Sequence, residues 1–310
     1  MYDGIPYGRY LDTSSCRVSV DSIRLKFTYK YQNYSYEKKC SVTTIDQLSC
    51  HIDNMFFNGC DTKWSYKDFF QIGSYCRTCT ISGINWSCAV LFGRYCYDSS
   101  CKQIAPEAVF DFNPNKVPLE ILQQVIARLR GPALIVELVR FDIAFDFPCK
   151  REAVTLVQDQ RRSYRLFREK GAITEYQGAR SSHGSLKLYD KTKESGLSCD
   201  VTRCEITVEG GYTGAFSELF PRIYCFDLLQ LDINFASLPF HVKACLVHPD
   251  LVQLMLTSVD KKTRRKYLSM FDKVSNSSLA PDDWQAVDRF IPSALAEYAG
   301  PYTKRRHVII

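Results

Sequence analysis

The chain has 310 residues, and 45% hydrophobic content gives it enough apolar side chains for a sizeable core, which excludes a disordered or fibrous protein. Its 40 Lys and Arg against 34 Asp and Glu leave a net charge of only +6, so bulk charge does not by itself mark a nucleic-acid binder. Met1–Thr13 carries no apolar run, and the most hydrophobic stretch, 132–147, is broken by Glu137, Arg140 and Asp142; neither secretion nor a membrane span is expected, and a cytoplasmic setting is.

Residues 1–109 are rich in Tyr, Phe, Val, Thr and Ser, and Val18–Tyr31 alternates in part (Ile23, Leu25, Phe27), which predicts a β-rich N-terminal half. The 14 cysteines read as mostly reduced and buried. Cys76 and Cys79, with Cys88, Cys96 and Cys101 following, raise a zinc-stabilised interaction module as an alternative, although no second paired motif completes a tetrahedral set. Phe110–Lys116 predicts a strand ending in the Asn113-Pro114-Asn115 turn. Pro118 then opens a helix that buries Leu122, Val125, Ile126 and Leu129, up to the Gly131-Pro132 stop.

In the strand Val139–Phe147 the odd positions are apolar, whereas Asp142, Ala144 and Asp146 share the other face. A second helix is expected over Glu152–Glu169, with Arg161, Arg165 and Arg168 along one side. Three strands follow: Ile173–Gly178 with Glu175, Leu186–Asp190 with Lys187 and Tyr189, and a strand in which Arg203 and Glu205 alternate with Cys204, Ile206 and Val208. Beyond Tyr224 the spacing turns helical, over Leu228–Phe235, His241–Val247, Asp250–Ser258, the basic run Lys261, Lys262, Arg264, Arg265 and Lys266, and Pro281–Tyr298. The expected fold is therefore α+β. An antiparallel βαβββ-like nuclease core spans 110–225, between the β-rich region 1–109 and a helical tail, 226–310. A faint echo of Arg24-Leu-Lys-Phe-Thr-Tyr29 in Arg140-Phe-Asp-Ile-Ala-Phe145 hints at a degenerate duplicated sheet.

Acids on neighbouring strands around one tyrosine suit metal-dependent phosphodiester chemistry. Tyrosine can be the nucleophile of a transesterification if a cation or base activates a phenol whose ordinary pKa is about 10. Lys187 and Lys191 lie close in sequence, and Asp142, Glu175 and Glu205 are hard ligands for Mg²⁺ or Mn²⁺. The five histidines, His51, His183, His241, His248 and His307, are scattered, so the metal site would be built of carboxylates alone.

The blocks Arg140-Phe-Asp-Ile-Ala-Phe-Asp-Phe147, Thr174-Glu-Tyr-Gln-Gly-Ala-Arg-Ser181, Leu186-Lys-Leu-Tyr-Asp-Lys191 and Arg203-Cys-Glu-Ile-Thr207 resemble, in order and spacing, the successive motifs of the Rep-trans (replication initiation factor) family of rolling-circle replication initiators. The likeness runs from about Phe110 to Glu209 and thins over the tail; before residue 100 it is essentially absent. It implies Tyr189 as the nicking nucleophile, Asp142, Glu175 and Glu205 as metal ligands, and a place in the site for Asp146. Arg140, Lys187 and Lys191 would meet the scissile phosphate. It further implies a homodimer whose C-terminal region reads a double-stranded origin, with Lys261–Tyr267 as the DNA-binding segment. One strand would be nicked to give a 5′-phosphotyrosyl link and a 3′-hydroxyl for host polymerase, alongside a host helicase, in a plasmid or phage replicon. The alternative is a non-catalytic DNA-binding regulator on the same scaffold.

Overall fold

The structure, a computed structural model, describes residues 8–29, 61–66, 71, 73–98, 101–169, 171–179, 182–226, 236–246, 249–274 and 278–300. The elements of the first half are β1 (Tyr10–Asp12), β2 (Arg17–Thr28), β3 (Asp61–Tyr66), β4 (Tyr75–Ser82), β5 (Ser87–Asp98), β6 (Cys101–Phe112) and α1 (Leu119–Arg130). Those of the second half are β7 (Ile135–Phe147), β8 (Val154–Leu156), β9 (Tyr164–Glu169), β10 (Ala172–Gln177), β11 (Leu186–Asp190), α2 (Lys191–Ser195), β12 (Thr202–Glu209) and β13 (Ile223–Cys225). Four more helices complete the described chain: α3 (Phe240–Leu246), α4 (Pro249–Ser258), α5 (Lys261–Phe271) and α6 (Trp284–Ala299).

One antiparallel sheet of eleven strands organises the molecule, in the order β3-β4-β5-β6-β2-β7-β12-β11-β10-β9 with β1 beside β2. Counted outward from the β2/β7 seam, the two halves repeat one connectivity: first long strand, last strand, then the others in descending order. Arg24 and Arg140, which head the two echoing segments, face each other directly across that seam. The boundary expected between 109 and 110 falls inside β6.

Each face of the sheet has a different fate because side chains alternate. Val18, Val20, Ile23, Leu25 and Phe27 of β2 and Phe141, Ile143, Phe145 and Phe147 of β7 are buried on one face, beneath α1 and α6. Trp284 of α6 lies 5.9 Å from the ring of Phe145, and Tyr298 lies 5.4 Å from that of Phe112. Burying each such ring stabilises the fold by about 1.5–3 kcal/mol. A second apolar cluster joins Tyr224 and Phe226 to Val242, Leu246, Val252, Leu256 and Phe271, and so docks α3, α4 and α5 beside the β8/β13 ribbon.

Several expectations change. The segment 152–169 is not a helix: after a 3₁₀ turn at Arg151–Ala153 it forms β8, an exposed turn and β9. The Asp159 side chain accepts the Arg161 N–H at 3.0 Å, an Asx turn that competes with helical bonding, so Arg161, Arg165 and Arg168 form no stripe. The βαβββ core accordingly has strands where its helix was expected. Val139 is 38% exposed rather than buried, because β7 carries an extra residue against β2 there. Cys76 and Cys79 lie on extended β4, where a three-residue step puts them on opposite faces; Cys79 is core and the Cys76 thiol reaches the Phe92 carbonyl at 3.2 Å, an arrangement unsuited to a paired zinc ligand. The helix expected at Leu228–Phe235 lies outside the described residues. No described helix is long and apolar enough to cross a membrane.

Candidate active site

The face of the seam turned away from α1 and α6 gathers Ser19 and Asp21 from β2, Asp142, Ala144 and Asp146 from β7, Arg203, Glu205 and Thr207 from β12, and Lys187 and Tyr189 from β11. Register fixes this common face: Tyr189 is opposite Arg203, Lys187 opposite Glu205, and Arg203 opposite Asp146. Leu186, Leu188, Cys204 and Ile206 fill the core behind them.

Tyr189 donates its phenolic hydrogen to Glu205 Oε1 at 2.6 Å. The Lys187 ammonium lies over the phenol ring, 3.8 Å from its centroid, and is also 3.8 Å from Glu205 Oε2. Tyr189 is only 4% exposed, and the half-exposed Lys187 forms part of its cover. Burial, then the negative charge of Glu205, push the phenol well above its ordinary value. Burial also raises the Glu205 carboxyl, with the charge of Asp21 next in importance, to about 7.

Arg203 is wholly enclosed and forms the hub. It grips Asp146 through two bonds of 2.6 and 2.7 Å, reaches Asp21 at 2.9 Å and stands 3.9 Å from Glu205. Burial alone would lower its pKa, but the bond to Asp146 and the surrounding acids hold it above the usual value. Asp146 is thereby committed to a guanidinium. Asp142 differs: burial raises its carboxyl, and its Oδ1 is buried with no protein partner.

Glu175 does not belong to this group. Thr174, not Glu175, is opposite Tyr189, so Glu175 projects from the apolar face, where buried Arg151 and the Tyr164 hydroxyl (2.8 Å) bind it. Its proposed part in a metal site beside Tyr189 is therefore excluded by geometry. Asp21 takes its place among the acids of the polar face. It is the extra residue between Val20 and Ser22 in the β2/β7 register. A signal for it exists in the sequence: the apolar positions Val18 and Val20 are even, whereas Ile23, Leu25 and Phe27 are odd.

Lys191 starts α2 and is buried, with its ammonium on Glu194, whose carboxyl is held at about 2 by that partner against the opposing effect of burial. It stands 6.0 Å from the Tyr189 centroid. Arg140 shares the polar face but lies six residues along β7 from the level of Arg203, roughly 20 Å away at strand rise. It is not positioned for the phosphate at Tyr189.

The hard oxygens of Asp21, Asp142 and Glu205 fit a divalent cation in donor type. The orphaned Asp142 oxygen, and the Glu205 carboxyl raised by burial and then by the charge of Asp21, both mark a place where positive charge would be accepted. Among the described residues no three His, Cys, Asp or Glu side chains converge closely enough to hold one as they stand.

α5 is capped by Asp260, whose carboxylate accepts the N–H groups of Lys262 and Thr263 at 2.8 and 3.1 Å. Lys261, Lys262, Arg265 and Lys266 are exposed, while Arg264 ties the helix to the Gln158 carbonyl at 2.6 Å.

By sequence, the chain matches no family model and no curated protein. By structure it is similar to a solved rolling circle replication initiator protein from Geobacillus stearothermophilus, at 17% identity over 62% of this chain and 74% of that one, with a TM-score of 0.32.

Proposed function

We propose that this chain is a rolling-circle replication initiator that nicks one strand of a double-stranded origin through Tyr189. The bond from the Tyr189 phenol to Glu205, with Lys187 over the ring, carries the reading, because it joins a nucleophile, a base and a cation in one place. Glu205 takes the phenolic proton as the oxygen attacks the scissile phosphorus. A phosphotyrosyl bond to the 5′ side forms, the bond from phosphorus to the 3′ oxygen breaks, and that oxygen leaves as a hydroxyl once protonated. Lys187, freed from the ring, would pair with the phosphate and uncover the phenol. Asp21, Asp142 and Glu205 would hold Mg²⁺ or Mn²⁺, which when bound supplies positive charge for the non-bridging oxygens. Arg203 keeps Asp21 and Asp146 in place.

Lys261, Lys262, Arg265 and Lys266 would carry origin contact. Cations in the first turn of a helix oppose its dipole, a cost that phosphate binding would offset. The decisive experiment incubates the protein with a single-stranded origin oligonucleotide and Mg²⁺ or Mn²⁺ and looks for a covalent adduct that Tyr189→Phe abolishes. The low exposure of Tyr189 favours one competitor, a regulator that binds DNA without cutting it. Stable binding with no adduct under either metal would establish that reading instead.

A further inference from the structure

Register carries the polar face of the candidate site outward, past β11, onto β10 and β9. One row across the strands runs Arg203, Tyr189, Thr174 and Phe167, and the next runs Glu205, Lys187, Tyr176 and Arg165. Phe167 therefore looks out from the same side as Tyr189, two interstrand steps or about 10 Å away. It is 52% exposed. Its ring centroid lies 5.6 Å from that of half-buried Tyr176, at 89°, a contact that braces the ring edge-on rather than covering it flat. Tyr176 itself stands opposite two cations, exposed Arg165 on one strand and Lys187 on the other.

An exposed aromatic ring beside cations suits unpaired nucleic acid, because every base offers a flat face to stack and every nucleotide a phosphate to neutralise. A lone exposed ring needs no explanation, but this one shares a face with the candidate nucleophile. Glu169, on the same face one row beyond Phe167, would repel a phosphate, which directs the backbone to the row of Arg165 and Lys187. We infer that Phe167, Tyr176 and Arg165 form a platform for the unpaired strand beside the scissile phosphate: a base stacks on Phe167, Tyr176 braces the ring, and Arg165 pairs with a phosphate. At about 3.4 Å per stacked nucleotide, the roughly 10 Å from Tyr189 places that base within about three nucleotides of the nick. The platform rests on the reading that a DNA strand crosses this face at Tyr189.

The test is fluorescence anisotropy of the full chain with oligodeoxythymidylate of about 12 nucleotides and with an abasic oligomer of the same length, circular dichroism checking the fold. The parent should bind the thymidylate about tenfold or more tightly than the abasic backbone. Phe167→Ala should erase that preference, Phe167→Tyr should keep it, and Phe167→Leu, which retains apolar bulk but no ring, should not restore it. Arg165→Ala should leave the preference and lower the salt slope by about 0.7, the share of one phosphate on a single strand. A parent without the preference, a preference that survives Phe167→Ala or Phe167→Leu, or a salt slope unmoved by Arg165→Ala would each overturn the platform. Adduct formation on the origin oligonucleotide is read separately. Base-dependent binding through Phe167 with no adduct from the parent would remove the nicking reading and leave the platform; adduct with binding indifferent to residue 167 would do the reverse.

Discussion

Tyr189 and Glu205 hold one proton between them, and burial decides where it rests. With the phenol pushed far up and the carboxyl at about 7, the proton stays on the oxygen of Tyr189 until a substrate or cation changes the field. Glu205→Gln should reduce the rate of adduct formation by about 10²–10⁴ without losing the Tyr189 hydrogen bond. Stability should depend on the same carboxyl. The folded carboxyl binds its proton more tightly than an ordinary glutamate at 4.5, so in metal-free protein its contribution worsens as pH climbs from about 4.5 to 7. Metal-free Glu205→Gln should then unfold at a higher temperature than the parent above about pH 8, and the gap should close below about pH 5; equal melting curves at both ends would contradict the assignment. At this scale the sequence was informative where one side of a strand was plainly apolar. Asp142, Lys187, Tyr189 and Glu205 share a face because Phe141, Ile143, Leu188 and Ile206 hold the other. Glu175 was misread because Ile173 and Tyr176 put bulk on both sides of β10, leaving its phase to the register with β11.

Among the elements, turn chemistry decides what periodicity cannot. Apolar residues at 154, 157, 164 and 167 fit a helical repeat, yet the Asx turn at Asp159 and the pairing of β9 with β10 produce strands. α1 and α6 are long, with proline or aspartate at their N-caps, and were legible near their true limits. The end of β12 makes a separate claim. Gly210 donates its N–H to the Val139 carbonyl at 2.9 Å, and any Cβ there would fall on the backbone carbonyl of Leu138. Gly210→Ala should cost about 1–3 kcal/mol in chemical denaturation, since the obstacle is main chain rather than a flexible side chain. For α5, replacing Lys262 and Lys266 together should lower the salt slope of origin binding by about two. Arg264→Ala should instead loosen the helix from Gln158 and lower the melting temperature.

The whole molecule is held at its middle, since β2 bonds to β6 on one side and β7 on the other. Ile23→Ala, at a position with no exposed surface, should destabilise by about 2–5 kcal/mol, and tryptophan fluorescence and circular dichroism should still report one coincident transition. Two separated transitions would mean the halves unfold independently. The repeated connectivity was only faintly visible in the chain because the echo between the two halves covers just six residues. In the first half Glu107 stands four residues before Asp111, as Glu205 stands before Glu209, and it too accepts a phenol, from Tyr75 at 3.2 Å. There Arg94 clamps the carboxylate at 2.9 Å, so the first half offers no spare base. The cysteines that suggested zinc are strand residues within the same sheet.

The irregularity at Asp21 fixes how this chain can change. Excising that single residue would restore an unbroken two-residue alternation, and everything before it would turn over: Val18 and Val20 would join the polar face, and Arg17 and Ser19 would be driven into the hydrocarbon interior. Whatever side chain stands at 21, the position itself cannot be deleted without inverting the strand that precedes it.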